Sequence, residues 1–277
     1  MSETLDQGLI ENWRGWIGRE ERRAEVLDAD ALRRFAAAVG AGLDVEQVPP
    51  PLAHWAFFLP VFPDSEIGPD GHPKRGGFLP PVTLPRRMFA ASAMTFAAPL
   101  VLGERAEMVS TILDVKHRSG RTGDLVFVEV ERVISQGAGP CVREQQTIVY
   151  RGAGEATAAL VPVAQDAGPD DEAWRPDTVR LFRFSAVTFN SHRIHYDQPY
   201  AQGEEGYPDL VVHGPFTAAK LHAHATRRLK RPLTRFSFRA VAPIFVDQPV
   251  RLTGDTATGA FQAIRCDGAQ AMTAEVG

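Results

Sequence analysis

Cysteine is almost absent: there are two in 277 residues, Cys141 and Cys266, far apart and in apolar, strand-like surroundings. Such a pair builds neither a disulfide framework nor a CxxC metal or redox site. Long hydrophobic runs are missing as well. Nothing approaches the roughly 18 apolar residues that span a bilayer. The leading MSETLDQGLIENWRGWIGREERR has no apolar core of signal-peptide length and is acidic before it is basic. These absences point to a reducing, cytoplasmic setting with no membrane partner. Positive charge is not in excess, since 30 Lys+Arg against 34 Asp+Glu leave a formal net charge of −4 and a pI near 6.1. A nucleic-acid partner is therefore not expected. No GxGxxG, Walker loop or HExxH occurs. His192 with His195, and His222 with His224, are closely spaced. Neither pair has a third ligand at a recognised spacing, so no metal is expected.

What is present is a chain able to bury a core, with 44% hydrophobic and 23% charged residues, in one large domain or two smaller ones. Asp28 to Gly40 reads as a short helix, with Leu32, Phe35, Ala36 and Val39 on one stripe and Gly40 as its stop. From Val48 to Pro85 proline is too dense for helix or central strand, and so long an excursion is uncommon unless it has a function. Strand signals follow, with Val109, Thr111, Leu113 and Val115 alternating, then Val126, Val128 and Val130, then CVREQQTIVY. SGRTGD and SQGAGP separate these runs as turns. Residues 153–177 are small, acidic and proline-containing, which suits a linker. Pro215 to Leu229 reads as the longest helix, with proline at its first turn and Ala218, Leu221, Ala225 and Leu229 on a stripe. Phe236, Phe238, Ala240 and Ala242 then resume a strand pattern. APLVLGERAEM from Ala98 and APIFVDQPVRL from Ala242 echo each other about half a chain apart. The echo favours a duplicated helix-plus-sheet unit. Val82 to Phe96, where the first copy should carry its long helix, is short and broken by Pro85, and the missing helix would leave a groove for a ligand.

Site-like residues concentrate between Phe184 and Phe216, in FSAVTFNSHRIHYDQPYA and GYPDLVVHGPF. Asn190, His192, Arg193, His195, Tyr200, Tyr207 and His213 all fall there. Histidine titrates near neutrality and is the commonest general acid or base, and an asparagine amide can orient water. His213-Gly214-Pro215 stands at the start of the long helix, whose free N–H groups and dipole suit a polarised carbonyl. Tyr200 and Tyr207 fit the walls of a pocket better than acids. Leu210 to Val246 holds seven basic residues and no acidic one. With Lys74, Arg75, Arg86 and Arg87, this run is a candidate for phosphate contact.

FSAVTFNSHRIHYDQPYA resembles the hydratase motif of the MaoC-like (R)-specific enoyl-thioester hydratases. In register, His195 takes the motif's histidine, Ile194 the apolar position before it and Ala201 the small residue after it. Asn190 stands where the family usually has Asp, and His192-Arg193 replaces Asn-Pro. NSHRIHYD with GYPDLVVHGP is similar to the branch containing hydroxyacyl-thioester dehydratase type 2 and 3-methylfumaryl-CoA (mesaconyl-C4-CoA) hydratases. HPKRGGFLPPVTLPRRMFAASAMTFAAPLVLGE resembles that branch's amino-terminal half.

The resemblance implies an α+β double hotdog, two antiparallel sheets each wrapped on a helix, with the long helix kept mainly in the second half. It implies a non-catalytic hotdog over 1–152, a linker over 153–177 and a catalytic hotdog over 178–277. The activity would be a hydro-lyase adding or removing water across an enoyl thioester, with a short branched dicarboxylic acyl-CoA such as 3-methylfumaryl-CoA as leading substrate. His195 would be the acid/base, Gly214 would polarise the thioester carbonyl and Asn190 would hold water. His192, Arg193, Tyr200, Tyr207, His213, Arg86 and Arg87 would bind substrate, Arg193 being the nearest cation for a free acyl carboxylate. Coenzyme A would enter as part of the substrate, with no separate cofactor. Two rivals stand beside this reading: a 3-hydroxyacyl-carrier-protein dehydratase, whose partner is an acyl carrier protein, and a non-catalytic acyl-thioester-binding module. A homodimer is one arrangement of hotdog subunits, and a duplicated chain that completes the pairing internally is the other.

Overall fold

The computed structural model describes residues 5–120, 123–137, 139–154 and 156–277. The first half runs through α1 (Gln7–Arg14), β1 (Glu20–Val26) and α2 (Ala29–Val39), then two short 3-10 turns, Ala53–Ala56 and Asp64–Glu66. It continues with β2 (Arg86–Phe96), β3 (Arg105–Gly120), β4 (Gly123–Gln136) and β5 (Gly139–Arg151). The second half runs through β6 (Glu172–Trp174), α3 (Thr178–Val187), a 3-10 turn at Arg193–His195, α4 (Gln198–Gly203) and α5 (Gly214–Leu229). It closes with β7 (Arg235–Ala240), β8 (Val250–Asp255), β9 (Ala260–Ile264) and β10 (Gln270–Val276).

Helix α2 forms where the stripe predicts it. Asp28 accepts from the Asp30 and Ala31 N–H groups at 3.2 and 2.9 Å, Gly40 turns left-handed at φ 72°, and Leu32, Phe35, Ala36 and Val39 are buried. Lys220 of α5 donates to the Val39 carbonyl at 2.8 Å, so one half satisfies a helix end of the other.

The strands lie in the order β1-β3-β4-β5-β2-β7-β10-β9-β8-β6, with every neighbouring pair antiparallel. The order reads the same from either edge, strand for corresponding strand, about the β2–β7 pair. The two expected sheets are therefore one continuous ten-stranded sheet. In register, Ala93 faces Ser237 across the seam, and the same chain spacing separates Ala98 from Ala242. The Ala-Pro echo falls on the same corner of each half: Ala97 and Ala98 donate to the Cys141 carbonyl, and Val241 and Ala242 donate to the Ala271 carbonyl.

Three expectations need correction. Val82 to Phe96 is not a failed helix, because Arg86 onward is β2 and the long helix's place is filled by the proline-rich stretch before it. In β3 the buried residues are Met108, Ser110, Ile112 and Val115, while Leu113 is 41% exposed. A bulge between Ile112 and Asp114 inserts one residue and reverses the alternation. Within the stretch read as a linker, Glu172–Trp174 forms β6 and pairs with β8. The tips of the SGRTGD and SQGAGP turns, at 121–122 and 138, lie outside the described residues.

Helix α5 crosses β7–β10 with Ala218, Leu221 and Ala225 fully buried. No equivalent helix covers β2–β5 among the described residues. There the 3-10 turn at Ala53–Ala56, with Phe57 and Phe58, joins the main core. A separate core under α1 unites Ile10 and Trp13 with Val115, Val126, Val128 and Tyr150. Trp13→Ala should remove this cover and lower the unfolding free energy by about 3–5 kcal/mol, measured by urea denaturation.

Candidate active site

The hydratase-like motif folds as a tight loop between α3 and α4. Asn190 Oδ1 accepts the His192 N–H at 3.0 Å, which closes a local turn. The 3-10 turn then carries Ile194 and His195 inward, and the Val211 N–H donates to the Ile194 carbonyl at 2.9 Å. This clamps the loop to the segment that enters α5.

His195 is buried, and its Nδ1 lies 2.6 Å from the Val211 carbonyl oxygen. A carbonyl only accepts, so Nδ1 carries the proton and Nε2 keeps its lone pair. Burial pushes His195 down to about 4 against the opposing pull of that carbonyl. The ring is thus a neutral base at physiological pH. His213 stacks on it with centroids 3.6 Å apart, and its Nε2 meets Ser185 Oγ at 2.8 Å. Burial holds His213 well below the usual imidazole range. Gly214 opens α5, whose amino-terminal cap has no side-chain hydrogen bond. A Cβ at Gly214 would lie 3.6 Å from the Phe89 carbonyl oxygen of β2, so the helix start faces the seam between the halves. Its open N–H groups and dipole can stabilise negative charge on an oxygen.

His192 is buried and set edge-on to His195, with ring centroids 5.4 Å apart at 87°. Its other face meets His72, with centroids 3.9 Å apart. Burial first, then neighbouring His72, lowers the His192 proton affinity. Glu205 Oε1 lies 4.0 Å from His192 Nε2. Burial raises the Glu205 carboxyl, while Arg86 opposes that rise. Arg86 Nε is 3.2 Å from Glu205 Oε2, and its guanidinium sits 5.8 Å over the Tyr207 ring. Arg86 and Tyr207 therefore form the wall beside His192. Arg87 follows on β2, opposite Tyr150 of β5, and its charge lowers His72 and His192.

Two assignments change. Arg193 is committed to Asp197 at 2.7 Å and lies 4.1 Å over the Tyr200 ring, so neither is free for an acyl carboxylate. Within the basic run, Lys220 caps α2, Arg227 pairs with Glu172 and Arg228 with Asp170. Arg75 is bound to the carbonyls of Val82, Leu84 and Pro85. Asp70, His72 and Glu205 join the site from outside the motif, and Ser185 joins it from within the motif without having been singled out. The density and length of the proline-rich excursion were the only signal for the first two.

A neutral buried imidazole beside an open helix start, in a paired α-on-sheet fold of the double-hotdog class, can move a proton next to a polarised carbonyl. The family model for hydroxyacyl-thioester dehydratase type 2 matches residues 52–246, and the chain belongs to that family. It is 44% identical over 279 residues to a mesaconyl-C(4)-CoA hydratase of Chloroflexus aurantiacus, covering 96% of this chain and 97% of the relative. HtdX of Mycobacterium tuberculosis shares the fold at a TM-score of 0.65 and 18% identity, covering 93% of this chain and 99% of that one. A second Mycobacterium tuberculosis structure, described as a double hotdog, aligns at a TM-score of 0.56 and 12% identity, covering 94% of this chain and 95% of that one.

Two outcomes follow from the buried imidazoles. His195→Ala should abolish hydration in an absorbance assay of enoyl thioester while the thermal unfolding midpoint stays within a few degrees of wild type. His72, His195 and His222 each fall to about 4 on folding from an ordinary value of 6.5. The unfolded chain then binds protons first, so stability is full above about 6.5 and is lost as pH falls toward 4. Calorimetric melting across that window checks the sign; a midpoint that rises on acidification would contradict it.

Proposed function

We propose that this hydro-lyase reversibly adds water to 3-methylfumaryl-CoA (mesaconyl-C4-CoA), giving citramalyl-CoA. The thioester carbonyl lies at the start of α5, where Gly214 admits it close to the backbone. Polarisation there draws electrons from the double bond and makes the β-carbon electrophilic. His195 Nε2 takes a proton from water as the oxygen bonds to that carbon. The resulting enolate oxygen is held by the α5 N–H groups, which stabilise charge where it develops. Asn190 shapes the loop that presents His192 and His195. The catalytic duty falls mainly on 178–277 beyond the 153–177 connection, with 1–152 supplying the opposing wall, and coenzyme A arrives as part of the substrate. The setting proposed is cytoplasmic.

The observation that carries the choice of acyl group is what fills the missing helix's place. Trp55 Nε1 donates to Glu144 at 3.2 and 3.3 Å. Its ring meets Phe89 and Phe238 at centroid distances of 6.2 and 6.3 Å, and those two rings meet at 5.5 Å. Glu144 also accepts from Ser92 at 2.8 Å and meets His54 at 3.3 Å; against burial, His54, then Arg132 and Gln146, hold its carboxyl down at about 2. This aromatic and anionic wall lies just past Gly214 along β2. It suits a short acyl group better than the long chains of a carrier-protein dehydratase. A fixed carboxylate there also repels a substrate carboxylate, which directs it instead toward Arg87.

A panel of enoyl thioesters tests this. Crotonyl-CoA and 3-methylfumaryl-CoA should be hydrated and an eight-carbon enoyl-CoA hardly at all, with Trp55→Ala narrowing the gap. Arg87→Met should lower kcat/KM for the dicarboxylic substrate about 10- to 100-fold, since a hydrogen bond to a charged group contributes about 1.5–3 kcal/mol. It should leave crotonyl-CoA nearly untouched. Equal rates on short and long chains would favour the carrier-protein reading, and binding without turnover would favour the non-catalytic module.

A further inference from the structure

Hydration breaks one O–H bond at water and forms one C–H bond at the α-carbon, so protons move at two separate atoms. Asn190 cannot titrate, and its amide oxygen is already occupied by the His192 N–H. A second proton-transfer group, distinct from His195, comes from elsewhere in the fold.

The loop from Ile67 to Lys74 closes on itself. Ile67 bridges to Pro73, Gly68 N–H donates to the His72 carbonyl at 2.7 Å, and Lys74 N–H donates to the Glu66 carbonyl at 2.7 Å. It is also locked onto the second half's motif. Arg193 N–H donates to the Asp70 carbonyl at 3.0 Å, Arg193 Nη1 donates to the Pro69 carbonyl at 3.1 Å, and Ser191 Oγ donates to the Gly71 carbonyl. Gly71 adopts φ 85°, and a Cβ on it would lie 1.8 Å from the Ser191 carbonyl oxygen, so only glycine permits this approach. These contacts press the His72 ring onto His192, which is itself in contact with His195.

Within the loop, Asp70 Oδ1 accepts the His72 N–H at 3.0 Å and Oδ2 meets His72 Nδ1 at 3.1 Å. Although burial opposes it, these bonds keep the Asp70 carboxyl near 2, so the carboxylate accepts and Nδ1 carries the proton. His72 thus presents a free Nε2, as His195 does, and it has a carboxylate behind it to balance an imidazolium. An Asp-oriented imidazole is the arrangement by which a carboxylate fixes a tautomer and supports charge on the ring.

We propose that His72, positioned by Asp70, is the second proton-transfer residue of the site, contributed by the half read as non-catalytic. Water's oxygen bonds to the β-carbon and one of its protons passes to His195 Nε2. The electron pair of the double bond moves to the α-carbon and thioester carbonyl. Neutral His72 takes a proton from solvent on Nε2, Asp70 balancing the charge, and passes it to the α-carbon. His72 begins and ends the cycle neutral, and His195 returns its one extra proton to solvent before the next turnover. This inference rests on the hydratase reading.

The test is His72→Gln assayed beside wild type, with Asn190→Asp in both backgrounds. His72→Gln should lower kcat about 10²- to 10³-fold, within the range of general acid–base catalysis, with KM changed only a few-fold and the melting temperature unchanged. Asn190→Asp restores a titratable group where the family keeps one, so it should recover at least about tenfold of that loss. A group that merely packs the loop would show no such rescue. Asp70→Asn, which leaves His72 in place, should lower kcat and shift the pH profile, and serves if His72→Gln fails to fold. An active wild type with an equally active His72→Gln, or an Asp70→Asn variant with unchanged kcat and profile, overturns the role of His72 alone. A wild type inert toward every enoyl-CoA brings down the hydratase reading and this proposal together.

Discussion

The pairing of β2 with β7 is the contact on which the rest of the molecule depends. It joins two five-stranded units into one sheet and sets Ala93 opposite Ser237 at the centre of their relation. It also brings the β2 end of the first unit against the start of α5, where Phe89 and Gly214 approach closely. A hotdog unit alone would offer a helix start facing solvent. Pairing across the seam sets that start against the β2 backbone, among buried side chains where a helix dipole is worth more than in water.

The two units are unequal on the side that faces the site. The second unit keeps α5 and therefore keeps an open helix start. In the first unit the same position is occupied by an irregular, proline-rich path that cannot form regular helix but can carry side chains to fixed points. One stretch of it delivers Trp55 to Glu144 and the Phe89–Phe238 pair. A later stretch delivers Asp70 and His72 to the motif loop. The irregular path thus supplies part of the contents of the site.

Desolvation governs the chemistry of that space. Four histidines, His72, His192, His195 and His213, lie in a connected row. Burial is the first cause of the lowered proton affinity of each. Neutral rings can pack face to face where imidazolium rings would repel. Backbone and carboxylate acceptors at Nδ1 of His195 and His72 then decide which nitrogen is free. Positive charge is handled locally: Arg86 is matched by Glu205 and Arg193 by Asp197, while the charge of Arg87 acts on His72 and His192.

Local patterns were legible wherever one residue spacing dictates one structure. The α2 stripe with its Asp28 cap, the proline-led α5, and the Phe236–Phe238 alternation all appear in the chain as read, because caps and periodicities act over a few residues. The motif around His195 was legible for the same reason, and the scarcity of cysteine and long apolar runs narrowed the class before any element was placed. The β3 face was misread because a single bulged residue reverses parity without changing composition. The partners of Arg193 and the fate of the basic run were equally hidden, since ion pairing depends on which side chains fold together. Only the tertiary structure united Asp70 and His72 with a motif about 120 residues away, through contacts such as Ser191 to Gly71. Hydrogen bonds and ring contacts at that separation follow from sheet pairing and loop docking, which no local pattern encodes.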